Sequence, residues 1–101
     1  MFVHNVYFWL KPDLADEQRA AFVAGVQSLT RIDAVRHGYV GVPAPTDRPI
    51  IDRSYDYALT IICDDPAKHD AYQVDPIHDR FRQQCEPFWD RVLIYDAVTP
   101  A

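Results

Sequence analysis

Long apolar runs are missing from this 101-residue chain; its hydrophobic stretches break off well before the ~20 consecutive residues a membrane-spanning helix requires. An excess of positive charge is missing as well. Ten lysines and arginines against fifteen aspartates and glutamates leave a net charge of −5 and a pI near 5.1. The cations are scattered, without the stripe or patch that binding a nucleic-acid backbone needs, so no nucleic-acid partner is expected. Cysteine is limited to Cys63 and Cys85. Neither has the close neighbours of a zinc site or redox motif, and both are expected to be buried thiols, with no metal and no cofactor implied. Internal repeats, linkers and low-complexity tracts are absent too. With no basic-then-apolar leader and no membrane segment, the expected location is cytoplasmic.

What is present is a globular composition, 49% hydrophobic and 25% charged, at a length suited to one domain over residues 1–101. A chain this short buries only about two-thirds of the surface it exposes when unfolded, so burial added by a partner would matter.

The segment FVHNVYFWLK alternates Phe2, His4, Val6, Phe8 and Leu10 against Val3, Asn5, Tyr7, Trp9 and Lys11, a strand with two largely apolar faces. Pro12 and Asp13 end it, and Asp13 or Asp16 is placed to cap a helix in which Phe22, Val26 and Leu29 recur on one side. AVRHGYVGV reads as a strand loosened by Gly38 and Gly41, and PAPTDRP as an exposed loop. SYDYALTIIC is a third alternating strand, closed by Asp64, Asp65 and Pro66 as a turn and helix cap rather than a metal site. A helical region from about Ala67 to Trp89, broken at Pro76, and a final strand through Val98 complete the order βαββαβ. That order predicts a ferredoxin-like α+β domain with a four-stranded antiparallel sheet. Helices can cover only one face of such a sheet, yet the strands are apolar on both. The second face therefore calls for an identical sheet, a homodimer closing a barrel, with further assembly of dimers as an option.

Within AYQVDPIHDRF, Pro76 suits the first turn of a helix and Asp75 can cap it, so the break is a helix restart. From there His78, Phe81, Cys85 and Phe88 share one face, which turns His78 inward. Tyr72, at the end of the preceding run, can reach the same space, and His4 sits among apolar neighbours on the first strand. Imidazole is the side chain best suited to moving a proton near neutral pH, and a phenol can support a developing oxyanion. Each of the three is equally compatible with a satisfied core residue. His37 and His69 read as surface residues.

The run from Tyr72 through Pro76 and His78 to Phe81, with VHNVYFWLK, YDYALTI and FWDRVLIYDAV, resembles the stress-responsive dimeric α+β barrel family, Dabb, over nearly the whole chain. In that family the run usually carries a histidine where Asp75 stands. The resemblance implies the dimeric barrel fold more firmly than an activity. One characterised member is a plant polyketide cyclase, the cofactor-free enzyme that makes olivetolic acid. Similarity to it implies a pocket for an aromatic or polyketide-like carbonyl compound, with His78 as general base, Tyr72 orienting it or the substrate, and His4 on the wall. Val26 stands where that enzyme has a pocket tyrosine, and Phe22, Phe81 and Phe88 complete the expected apolar lining. The competing expectations are a non-catalytic, stress-related homo-oligomer, and a cofactor-free monooxygenase or isomerase on the same architecture.

Overall fold

Proline and aspartate punctuate the chain, and alternating apolar residues fill the spaces between. The computed structural model describes residues 1–101 as β1 (Phe2–Leu10), α1 (Asp16–Ser28), β2 (His37–Gly41), β3 (Tyr57–Cys63), α2 (Pro66–Gln73), α3 (Pro76–Cys85) and β4 (Trp89–Val98). Single 3₁₀ turns, Leu29–Arg31 and Glu86–Phe88, follow α1 and α3. The strands form one antiparallel sheet in the order β2-β3-β1-β4, the ferredoxin-like arrangement. No helix is long and apolar enough to cross a membrane.

Because side chains alternate across a strand, register decides what meets the helices. Val6 pairs with Leu59 on one side and Ile94 on the other, so His4, Val6, Phe8 and Leu10 share a face with Leu59, Ile61 and Cys63. This is the helix-covered face, and these residues pack with Phe22 and Val26 of α1, Tyr72 of α2, and Phe81 and Cys85 of α3. Both cysteines are free and buried, as expected, and burial raises the pKa of each thiol. The opposite face, with Tyr7, Trp9, Tyr39 and Tyr95, carries no helix.

The two prolines after aspartates act as the sequence suggested. Asp65 accepts a hydrogen bond from the amide of Lys68 at 2.8 Å to start α2, and Asp75 accepts from the amide of Ile77 at 2.8 Å to start α3. Two boundaries differ from expectation. Neither Asp13 nor Asp16 caps α1; the cap position is Ala15, whose amide donates to the Gln18 side chain at 2.8 Å, while Asp16 and Glu17 lie in the first turn against the positive end of the helix dipole. The last helix stops at Cys85 rather than Trp89, because Pro87 has no amide proton to return to the carbonyl of Gln83. Trp89 thereby opens β4 and turns toward the helices.

Candidate functional site

Three elements bring imidazole and phenol together. His4 comes from the middle strand β1, Tyr72 from the last turn of α2, and His78 from the first turn of α3, aimed by the Asp75–Pro76 restart. All three line one cavity of about 360 Å³ between the sheet and α2–α3. Ligand pockets begin at about 300 Å³. Its apolar wall includes Phe81, Trp89 and Ile94, and Gln73, Arg82 and Glu86 stand at its polar side.

The rings form a connected chain. Tyr72 meets His78 edge-on with centroids 5.0 Å apart and His4 at 5.6 Å. His78 Nδ1 is buried and has no hydrogen-bond partner. A buried polar atom left unpaired costs about 1–3 kcal/mol. Burial, reinforced by the Arg82 guanidinium, holds the His78 pKa below the ordinary 6.5, so the ring is neutral at pH 7. Burial has the opposite sense for the Tyr72 phenol, which is pushed far above its ordinary value and stays protonated as a donor.

His4 is 3% exposed and its Nδ1 lies 2.5 Å from Oδ1 of Asp96, which β4 places directly opposite it. On its other side His4 approaches the ring of His69, with centroids 4.8 Å apart. His69 corrects the expectation of a surface residue. It is 9% exposed, stacks on Phe2 at 4.1 Å, and places Nε2 3.0 Å from the side-chain amide of Gln73. Burial, followed by the nearby His4, lowers its pKa. The reason for its burial is helical geometry: three residues before Tyr72, it shares the inward face of α2. His37 is exposed, as expected.

Of the residues singled out from the sequence, His4, Tyr72, His78 and Phe81 lie on the cavity wall. Phe22 and Val26 are fully buried in the core behind it, and Phe88 sits half-buried at the core margin. Asp96, Trp89, Gln73, Arg82 and Glu86 were not foreseen as neighbours of the site. As potential metal ligands, His4, His69 and Asp96 each offer an atom within 4.8 Å of the others.

The sheet order and the helices on one face define a ferredoxin-like α+β protein with its cavity between the two layers. Within that class the chain belongs to the Dabb family, the stress responsive A/B barrel domain, whose profile matches residues 2–99. A Dabb family protein with a ferredoxin-like fold from Mesorhizobium loti is 24% identical, with a TM-score of 0.77 over 99% of this chain and 97% of that one. A hydroxynitrile lyase from Passiflora edulis is 16% identical, with a TM-score of 0.78 over 98% and 93% of the two chains. A dimeric ferredoxin-like protein of unknown function from Thermobifida fusca is 17% identical, with a TM-score of 0.77 over 97% and 90%. At these identities the likeness is one of fold. No curated protein matches the chain.

Proposed function

We propose that the chain forms a homodimer through its open sheet face and binds a small carbonyl compound, aromatic or polyketide-like, in the cavity between sheet and helices. There it carries out proton-transfer chemistry of lyase or cyclase type without a cofactor. The observation that carries this reading is the unpaired, buried Nδ1 of a neutral His78 on the wall of a ligand-sized cavity, with the protonated phenol of Tyr72 against the same ring.

In such a reaction the neutral His78 ring accepts a proton from an acidic C–H or O–H of the substrate. From a C–H the electron pair left behind delocalises onto the adjacent carbonyl oxygen as an enolate; from a cyanohydrin O–H it forms the C=O bond as the C–CN bond breaks, and the departing cyanide takes the proton from the imidazolium. In either case the Tyr72 hydroxyl donates a hydrogen bond to the oxygen on which charge collects. General-base assistance of this kind contributes about 10² to 10⁴ in rate. The lyase among the structural neighbours supports catalysis as a use to which this fold is put. Several neighbours described as dimeric, together with the uncovered aromatic sheet face, support the homodimer.

The test is a panel of cyanohydrins, aromatic aldehydes and β-keto thioesters, followed for turnover and for thermal stabilisation of the protein. A compound turned over by the parent protein and bound but not turned over by His78→Ala is the expected result. Equal turnover by both proteins would overturn the assignment of His78 as base.

A further inference from the structure

Beside Tyr72, two imidazoles and a carboxylate gather where three elements meet. His4 comes from β1, His69 from α2 and Asp96 from β4, and one donor atom of each lies within 4.8 Å of the others. We propose that these three side chains form a binding site for a divalent transition-metal ion of zinc type. The proposal is independent of the proton-transfer reading, which requires no ion.

Donor chemistry is the first argument. Two nitrogens and one carboxylate oxygen are the set that borderline divalent ions prefer, and three protein ligands leave a position open for water or a ligand oxygen. The geometry is the second. With zinc–ligand bonds of about 2.0–2.2 Å, neighbouring donors in a tetrahedral site stand about 3.4 Å apart. The widest pair here must close from 4.8 Å, while His4 Nδ1 and Asp96 Oδ1 must open from 2.5 Å as an ion takes the place of the proton between them. The Asp96 side chain, 40% exposed on an edge strand, has room to adjust, whereas His4 and His69 are buried, His69 stacked on Phe2. Placement is the third argument. The Tyr72 ring touches His4, His69 and His78, with centroids 5.6, 6.1 and 5.0 Å away, and His4 also lines the cavity. The cluster thus adjoins the cavity through His4, while His69 and Asp96 stand outside its lining.

Metal-free protein is titrated with Zn²⁺ by calorimetry, and Co²⁺ is added in parallel to read the visible bands of a low-coordinate site. The variants are His69→Phe, which preserves an aromatic ring against Phe2, and Asp96→Asn on the exposed edge. His78→Ala and His37→Ala serve as controls. The expected result is one ion per chain, with affinity lowered by roughly tenfold or more in His69→Phe and Asp96→Asn and unchanged in both controls. Should His69→Phe fail to fold, Asp96→Asn decides alone. Absence of binding, loss of binding in His37→Ala only, or equal affinity in Asp96→Asn and the parent protein would each overturn the proposal, and each would leave the role of His78 untouched.

Discussion

A histidine that is neutral and half-buried, with one ring nitrogen buried and lacking a hydrogen-bond partner, is an expensive residue to keep, and His78 is such a residue. Titratable groups face it from several elements. Arg82 and Asp79 lie on its own helix, His69 and Tyr72 approach from α2, His4 from β1 and Glu86 from the turn beyond α3. Desolvation dominates, followed by Arg82, and both favour the neutral ring. Turnover that uses this base should therefore be flat around pH 7 and fall only as the pH drops through a value below 6.5, where the ring takes up its proton. The same shift affects stability in the same direction. The unfolded chain binds that proton more readily, so the native state loses stability as pH falls below about 6.5. A pH–rate profile and thermal melts across that range check both, and His78→Ala should remove its share of each. Tyr72→Phe is the complementary change: the ring that packs against His4 and His78 remains while the donor disappears. Turnover should drop by roughly 10²-fold or more with the melting temperature little changed, because the lost hydroxyl acts where charge develops. At this scale the site was half legible. His78 and Tyr72 could be found because helical spacing and a Pro restart turn them inward. His69 carried the same spacing signal, three residues before Tyr72, but its charged surroundings in the first turn of α2 masked it. Asp96 interrupts the alternation of Val92, Ile94 and Val98 just as His4 interrupts that of Phe2, Val6 and Phe8, yet only the strand register shows that the two interruptions face each other.

The helices aim the site, and their ends and crossings are where that aim is lost. Asp75 supplies the capping oxygen that starts α3 three residues before His78. Asp75→Ala should cost about 1 kcal/mol, read as a lowered melting temperature, and should weaken binding in the cavity further because the first turn that carries His78 frays. Where α1 crosses α3, Gly25 admits a close approach. A Cβ there would lie 2.7 Å from Cys85 Sγ and 3.2 Å from Phe81 Cδ1. Both of those atoms are buried on the inner face of α3, so Gly25→Ala should destabilise by roughly 1–3 kcal/mol through overpacking. Adding Cys85→Ala should recover part of that loss, since the sulfur is the nearer obstacle; chemical denaturation of the single and double variants measures the coupling. The order βαββαβ and both aspartate–proline helix starts were readable because each depends on local chemistry. The end of α3 was not, because the apolar stripe runs on through Phe88 and Trp89 while Pro87 stops the hydrogen bonding beneath it. In the strand that follows, Trp89 serves the cavity instead.

For the whole molecule the unresolved balance is the second face of the sheet. On it Trp9 holds the Arg91 guanidinium 4.2 Å over its ring, and Tyr7 meets Tyr55 and Tyr95 at 5.0 and 6.4 Å. Tyr39 and Tyr95 are nevertheless 59% and 61% exposed, and Ile94 and Val98 on the other side of β4 are half exposed as well. Exposed tyrosines on a sheet face that no helix covers are what the proposed homodimer would bury. A two-fold partner that sets its own sheet against this one would bury the tyrosines of both copies together, the self-complementary contact that two-fold symmetry requires. The alternation that revealed two apolar faces was plain in the sequence. It left open which face the helices take, since His4 interrupts one set and Asn5 the other, and packing decided in favour of the His4 face. Tyr95→Asp tests the consequence. The substitution adds a charge to the exposed ring position without touching the helix-covered core, so a single chain should still reach its fold. Light scattering should then report a mass near the 11.7 kDa of one chain, where the parent protein reports twice that, and the melting temperature should become independent of protein concentration. A parent protein that already measures as one chain at micromolar concentration would refute the dimer, and the aromatic face would then need a different partner.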